Sequence, residues 1–353
     1  MFRYNSCVSN FLYSSQPLVS VLMTVFNAER YLAISIESIC SQTFRDWEFI
    51  IVDDASTDTS LKIAQAYAVQ DERIHVITND INKGQTHCLN QGLAQARGKW
   101  IARQDADDLS LPQRLEKEIA TVIQYPHLAL VGSCGYMIDE HEVLVGLLDV
   151  PLRGEVICWS IPIMNPFLHT SVLFQADVVR FLGGYNTSYR IAQDYDLWCR
   201  IISAGYEVHN LLERLVCYRH LPHSLSQRNQ EETLQEIESV SSRVVEELYP
   251  GTFSPIEKKK LQAWRSSREQ KCFWKVYRKL TSLLPRKNIL IQKDYDRCTA
   301  ILHMRIAGSA LGLTTIKELL TALVFDSSFV LSWMWERFFP KKMLGNKSAH
   351  FLK

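Results

Sequence analysis

Several absences narrow the class of this protein before any motif is read. Its 353 residues contain no uninterrupted apolar run of about 18, the length a membrane-crossing helix needs, so no segment reads as a transmembrane span. The nine cysteines are odd in number, scattered and without a C-x-x-C spacing, which argues against a disulfide framework or a zinc site. A reduced, cytosolic setting is the simpler expectation. The N-terminus lacks a basic stretch followed by an apolar core, so no secretory signal is expected.

Charge is sparse overall but unevenly placed. Formal net charge is +1, with 22% charged and 47% hydrophobic residues, an ordinary globular composition. Residues 1–250 carry 19 Lys and Arg against 31 Asp and Glu, whereas residues 251–353 carry 20 against 7. The last hundred residues therefore read as a separate basic module.

A β-α alternation starts at residue 17. PLVSVLMTVF (17–26) is an apolar, β-branched run that predicts a buried strand. Asn27 is a candidate cap for the helix after it, where Leu32, Ile36, Ile39 and Cys40 share one face. WEFIIVDD (47–54) predicts a second strand, ASTDTSLKIAQAYA a second helix and IHVIT (74–78) a third strand. Gly84 to Ala96 reads as a helix and KWIARQ (99–104) as a strand. Ser110, with Pro112 and Gln113 behind it, resembles a capping box. Further on, LALVGSCGYMID and HTSVLF look like strands, QDYDLWCRIISAG like a helix, and EVHNL with RLVCYRHL like a last pair of strands.

Strands alternating with helices imply a mostly parallel sheet covered on both faces, with ligands beyond the carboxyl ends of its strands. Those ends carry Phe26–Asn27, Asp53–Asp54 and Asp105–Asp107. Three carboxylates crowd into QDADD (Asp105, Asp107, Asp108), and such neighbours raise one another's pKa unless a cation intervenes. Asp105 and Asp107, two apart in an extended segment, can face one site. Such a pair suits Mg²⁺ or Mn²⁺, which take the rest of their shell from water and substrate phosphates. The competing reading is a helix-start cluster favoured by the macrodipole.

These stretches, VSVLMTVFNAERYLAISIESICSQTFRDWEFIIVDDASTDTS, NKGQTHCLNQGLAQARGKWIARQDADDLSLPQRL, NPFLHTSVLF and QDYDLWCRI, together resemble a family 2 glycosyltransferase of the GT-A, Rossmann-like nucleotide-diphospho-sugar transferase fold. The resemblance implies an α/β catalytic domain over 17–230, with a nucleotide-binding half (17–115) and an acceptor half (116–230). Residues 1–16 would form an extension and 231–353 a helical basic region. Thr24, Phe26 and Glu29 match positions lining the nucleotide pocket, and Asp54 matches the acid that accepts a hydrogen bond from the base. Its alternative is a turn or helix cap. Lys83 matches a position near the nucleotide, or is a solvated loop lysine.

In the same resemblance Asp105 faces the ribose and Asp107 holds the Mn²⁺ or Mg²⁺ that bridges the diphosphate. Asp194 matches the general base, with Gln193 where the family usually has glutamate; otherwise Asp194 merely starts a helix. His169, and His220, His223 and Ser226 in CYRHLPHSLSQ, match candidate acceptor or diphosphate contacts. Trp198, four residues beyond Asp194 on an apolar face, reads as core. The implied activity is inverting, metal-dependent transfer of a sugar, UDP-linked by expectation, to a hydroxyl of a glycan or lipid-linked acceptor in surface polysaccharide synthesis. An inactive relative that binds a glycan or partner is the alternative, distinguished by loss of turnover in Asp107→Asn.

In the basic region Trp264, Phe273, Trp274 and Tyr277 are interleaved with Lys and Arg. Basic helices with aromatic faces suit an anionic membrane surface, here peripheral contact on the inner face of the cytoplasmic membrane. A helical cap packed on the catalytic domain is the alternative. No nucleic-acid-binding module accompanies the charge, so no such partner is expected.

Overall fold

The computed structural model describes residues 16–221, 230–262, 270–283 and 289–309, with 321–322, 325–326 and 330 beyond them. The first half alternates as the pattern predicts: β1 (Val19–Val25), α1 (Leu32–Cys40), β2 (Trp47–Asp53), α2 (Ser60–Gln70), β3 (Ile74–Thr78), α3 (Gln85–Gln95) and β4 (Trp100–Arg103). Then come β5 (Leu109–Ser110), α4 (Arg114–Gln124), β6 (Leu128–Ile138), β7 (Leu144–Leu148) and α5 (Gly154–Ser160). A 3-10 turn at His169–Ser171 precedes β8 (Leu173–Gln175), α6 (Ala176–Phe181), α7 (Gln193–Ser203) and β9 (Glu207–Arg219). Helices α8 (Gln230–Leu248), α9 (Pro255–Lys260), α10 (Gln270–Thr281) and α11 (Ile289–Ser309) follow.

The strands form one nine-stranded sheet among the described residues, ordered β3-β2-β1-β4-β8-β6-β9-β5, with β7 against β6. β1 runs parallel to β2 and β4, and β2 parallel to β3, so their carboxyl ends form one rim. β8 enters antiparallel between β4 and β6. Side chains alternate across the sheet as its two-residue period requires. Leu22, Ile50, Val52 and Ile101 pack with Leu89 of α3 and Trp198 of α7 on one face. Val21, Met23, Phe49, Ile51 and Ala102 pack with Ile36 of α1 and Ile119 of α4 on the other. Each such fully buried aliphatic or aromatic side chain contributes about 1.5–3 kcal/mol.

Four expectations need correction. Asn27 does not cap α1, whose N-cap is Tyr31 without a side-chain bond; it lies in the left-handed region (φ 52°) and accepts from Thr57 N at 2.8 Å. Ser110 makes no capping box, because α4 starts only at Arg114; its hydroxyl donates instead to Gln104 Oε1 at 2.6 Å. HTSVLF divides into a 3-10 turn and a short strand, since Ser171 N closes on Leu168 O. The last two strands are one 13-residue strand, β9, which holds its pairing with β6 through register shifts around Ser133–Gly135.

The C-terminal helices pack on α5. Trp159 contacts Tyr277 of α10 and Tyr295 of α11 edge-on, at centroid distances of 5.5 and 4.9 Å. Phe273, Val276 and Leu280 join the same buried cluster. Asp294 of α11 accepts from the backbone N–H groups of Leu152 and Arg153. Asp149, just before α5, is paired with Arg214 of β9 and Arg297 of α11 at 2.9 and 2.5 Å. Of the four aromatic residues singled out from sequence, Trp264 lies outside the described residues. No helix among the described residues is long and apolar enough to cross a membrane.

Candidate active site

The site begins at the carboxyl end of β4. Arg103, the last residue of that otherwise apolar strand, is fully buried and turns its guanidinium back on the sheet rim. It donates to Leu22 O at 2.9 Å and to Asp105 Oδ1 at 2.6 Å, and its Nη2 lies 3.4 Å from Thr24 Oγ1. Gln104, also fully buried, donates to the carbonyls of Asp105 and Asp108 at 3.2 and 2.8 Å. That one side chain fixes both ends of the acidic loop. Residues 105–108 therefore form a turn, closed by Asp108 N on Asp105 O, and the extended geometry expected from the two-residue spacing is replaced. Nor do the carboxylates start a helix, since β5 separates them from α4.

The turn opens into a cavity of about 340 Å³ lined by Asp105, Asp107, Asp108, His169 and Asp194, with Gln85, Asn165, Gln193, Tyr218 and Arg219 among its other walls. Burial, and then Asp105, push Asp107 up to about 6, against the opposing pull of Arg219 and Arg103. Burial, then Asp107 and Asp105, hold Asp108 well above the ordinary carboxylate value. Asp108 Oδ1 accepts from Arg219 N at 2.7 Å, and Arg219 Nε donates to Asp107 O at 2.8 Å. β9 thus braces the acidic turn from the far side.

Asp194 sits in the first turn of α7 and lines the same cavity as Asp105. Burial raises its pKa to about 6, opposed by hydrogen bonds from Tyr195 N (2.6 Å) and Asn165 Nδ2 (2.8 Å). His169 Nε2 lies 3.1 Å from Tyr185 Oη, and its ring meets Trp198 edge-on. Burial and the nearby Arg103 lower its pKa to about 3, so it is a neutral imidazole at neutral pH. Trp198 is fully buried, as expected of a core residue.

The other anticipated residues lie outside this lining, along the ends of β1 and β2. Phe26 is half exposed. Glu29 Oε2 accepts from Thr59 N and Oγ1 at the start of α2. Asp54 accepts from Asn79 Nδ2, Lys83 N and Gly84 N at 2.9, 2.9 and 2.8 Å. Those bonds outweigh its burial and lower its pKa. Gly84 begins α3 at φ 88°, a conformation glycine adopts without a Cβ penalty, and so turns its N–H onto Asp54. Asp54 thus ties the 79–84 loop to the end of β2 just ahead of α3. Lys83 Nζ is 3.3 Å from Asn79 Oδ1. His220 is exposed at the end of β9, while His223 and Ser226 lie outside the described residues.

The structure thus joins Asp105, Asp107, His169 and Asp194 in one cavity and sets Thr24, Phe26, Glu29, Asp54 and Lys83 along the adjoining rim. Sequence reasoning missed Arg103, Gln104, Asn165 and Arg219. An arginine closing an apolar strand immediately before a carboxylate cluster was a usable signal for Arg103.

Metal chemistry can be tested on this donor set. Asp105 is clamped by Arg103 and Asp108 by Arg219 N, whereas the Asp107 carboxylate is held by its own backbone N–H and by neither arginine side chain among the described residues. No group of three or more His, Cys, Asp or Glu side chains able to cage an ion occurs among the described residues. All-oxygen donors with one open carboxylate fit Mg²⁺ or Mn²⁺ completed by water and phosphate, and do not fit a closed protein cage.

Comparison with known proteins agrees with this architecture. Residues 20–145 match the model of glycosyl transferase family 2. EpsE of Bacillus subtilis is 43% identical over 211 residues, covering 57% of this chain and 73% of that one. The O-antigen biosynthesis glycosyltransferase WbnJ of Escherichia coli is 32% identical, covering 57% and 79%. Among solved structures, Staphylococcus aureus TarS 1–349 in complex with UDP-GlcNAc superposes with a TM-score of 0.55 at 14% identity, over 89% of this chain and 92% of that one. The mannosyltransferase PcManGT of Pyrobaculum calidifontis, in complex with GDP-Man and Mn²⁺, gives 0.54 at 18% identity, over 93% and 89%. At these identities the likeness carries the fold. The relatives carry the family: the chain belongs to glycosyl transferase family 2, with a GT-A fold. It is a glycosyltransferase.

Proposed function

We propose that this enzyme transfers a sugar from a nucleotide-diphospho-sugar, a UDP-sugar in the first instance, to a hydroxyl of a glycan or lipid-linked acceptor during surface polysaccharide synthesis. The observation that carries the reading is the meeting of Asp105, Asp107 and Asp194 in one cavity at the sheet's carboxyl rim. The relatives WbnJ and AmsE, named for O-antigen and amylovoran biosynthesis, support the pathway class.

Asp107 would hold Mn²⁺ or Mg²⁺, which supplies charge neutralisation for the diphosphate as it leaves. Asp105, held by Arg103, faces the ribose and diphosphate. The rim of Thr24, Phe26 and the 79–84 loop, which Asp54 fixes, receives the nucleoside, with Lys83 and Glu29 at its border. Asp194 accepts the proton of the acceptor hydroxyl. With its pKa near 6 it is ionised at neutral pH and still basic enough to assist. The hydroxyl oxygen bonds to the anomeric carbon as the bond from that carbon to the phosphate oxygen breaks. One displacement inverts the anomeric configuration. Neutral His169 offers a hydrogen bond near Asp105 without adding charge. His223 remains a candidate contact on sequence grounds alone.

Peripheral contact with an anionic membrane would rest on the surplus of Lys and Arg beyond residue 250 rather than on aromatic insertion, because Phe273 and Tyr277 are buried against α5. Sedimentation with phosphatidylserine vesicles that weakens sharply with salt is the expected outcome.

The test is release of nucleoside diphosphate from UDP-GlcNAc, UDP-glucose and GDP-mannose, with and without Mn²⁺, in the wild type and Asp107→Asn. Metal-dependent turnover of one donor, lost in the variant, supports the reading. Binding without turnover of any donor would favour the inactive, glycan-binding relative.

A further inference from the structure

Gln193 and Gln85 form a pair of side-chain amides in the wall of the cavity, one opening α7 and the other opening α3. Gln193 Nε2 donates to Gln85 Oε1 at 3.2 Å. Gln193 is 3% exposed, and its Oε1 has no hydrogen-bond partner among the described residues. Turning both amides over would not cure this. The pair would then share the reverse bond, and Gln193 Nε2 would be the atom left without a partner. Leaving a buried amide oxygen unsatisfied costs about 1–3 kcal/mol, a burden that folded proteins rarely carry without a use for it.

The position of the pair limits what can satisfy it. Gln85 follows directly on Lys83 and Gly84, whose backbone N–H groups hold Asp54 at the nucleotide rim. Gln193 directly precedes Asp194, and both line the cavity together with Asp105 and Asp107. The amides therefore sit between the nucleotide rim and the candidate base. In a transfer reaction that span is occupied by the sugar in transit.

The cavity already holds four carboxylates, so a neutral residue at 193 is the choice that adds hydrogen-bonding capacity without a fifth charge. An uncharged amide with a free oxygen suits an uncharged donor group. It would take a sugar hydroxyl or acetamido N–H, and it offers nothing to a sugar carboxylate beside so many acids.

We propose that the Gln193–Gln85 amide pair reads the transferred sugar, accepting a hydrogen bond from a hydroxyl or acetamido N–H and thereby selecting a neutral hexose over a uronic acid. This rests on the donor-binding role of the cavity proposed above. The ligand that satisfies Gln193 Oε1 is the donor's own hexose.

Calorimetric titration tests it with UDP, UDP-GlcNAc and UDP-glucuronate, and with GDP and GDP-mannose, on the wild type, Gln193→Leu and Gln193→Glu. The quantity read is the affinity for each nucleotide sugar relative to its parent nucleotide. Gln193→Leu is expected to lower that ratio for the neutral sugar about tenfold while the bare nucleotide binds as before. Gln193→Glu, which keeps the side-chain shape but sets a carboxylate against Gln85 Oε1 and adds a fifth charge to the cavity, is expected to lower the ratio as well. Wild-type protein should bind UDP-glucuronate more weakly than UDP-GlcNAc. An unchanged ratio in Gln193→Leu, with intact nucleotide binding, overturns the amide assignment and leaves the transferase reading standing. A ratio that Gln193→Glu leaves at the wild-type value overturns it too, because the sugar would then be indifferent to the loss of the amide pair. Absence of binding by every nucleotide to the wild type would overturn both.

Discussion

Asp194 and Asp107 are two acids placed where their charge is expensive, and the cost shows in stability as well as in rate. Asp194 is raised from an ordinary value of 3.8 to about 6, chiefly by burial. As pH falls the native carboxyl therefore takes up its proton before the unfolded one does, so ionising it works against the fold. That penalty is absent below about pH 4, grows as pH rises to about 6 and is complete above, reaching at most about 3 kcal/mol. Asp194→Asn should accordingly raise Tm at pH 7.5 and leave it nearly unchanged at pH 4, as scanning calorimetry at the two values would read. The same variant should lose about 10²–10⁴ in kcat, while keeping its nucleotide affinity. In the wild type kcat should fall as pH drops through about 6, because the base form of Asp194 disappears there. A pH profile flat down to 5 would remove Asp194 from the base role. The Asp105–Asp108 cluster was legible in the sequence because it ends an apolar run, and Asp194 only through the family resemblance of QDYDLWCRI. Their partners were not: Arg103 meets Thr24, and Arg219 meets Asp107 O, across gaps in the chain that no local pattern spans.

Among the elements, legibility followed period and length. β1 to β4 and α1 to α3 could be read because each sustains one hydrophobic period and is bounded by polar turns. The short elements β7, α5 and α6 lack the length to display a period, and β9 was divided in two because Leu212 and Glu213 break its pattern where the pairing with β6 shifts register. The clamp between α11 and the segment before α5 was invisible for another reason: Asp149 and Arg297 look like ordinary surface charges in sequence. In the fold Asp149 is nearly buried between Arg214 and Arg297. Asp149→Asn would take from Arg214 and Arg297 the carboxylate that both share, a loss of about 3–5 kcal/mol for a broken buried pair. Tm should drop by several degrees, and α11 should become cleavable under limited proteolysis before the sheet does. Cleavage at an unchanged rate would mean that the aromatic contacts of Trp159 and the Asp294 bonds to Leu152 and Arg153 hold the helix without the ion pair.

Across the whole molecule, the helix Gln230–Leu248 links the core beside the sheet to the core of the C-terminal helices. Val240 and Val244 of α8 belong to the core beside the sheet, and Val245, one residue on, belongs to the core shared with α10 and α11. The change of charge sign near residue 250 therefore does not mark a seam in packing. A chain ending at residue 250 should expose Val156, Trp159, Ile163 and Met164 to water and aggregate. Size-exclusion chromatography would show this, and a monodisperse truncated protein with the wild-type Tm would refute it.

β9 gives this arrangement a consequence for how the sequence can drift. The strand's early residues meet the base of α5, where Asn210 donates to Pro151 O and Pro166 O; Arg214 in its middle holds Asp149; and Arg219 at its end braces the acidic turn. One rigid rule of 13 residues, roughly 40 Å long, thus gauges three separate places. Substitutions along it disturb one mark at a time. A single inserted or deleted codon between residues 212 and 216 turns every later side chain to the opposite face and carries Arg219 off the carboxylates. A substitution along the strand therefore costs one mark, and a change in its length costs every mark beyond it.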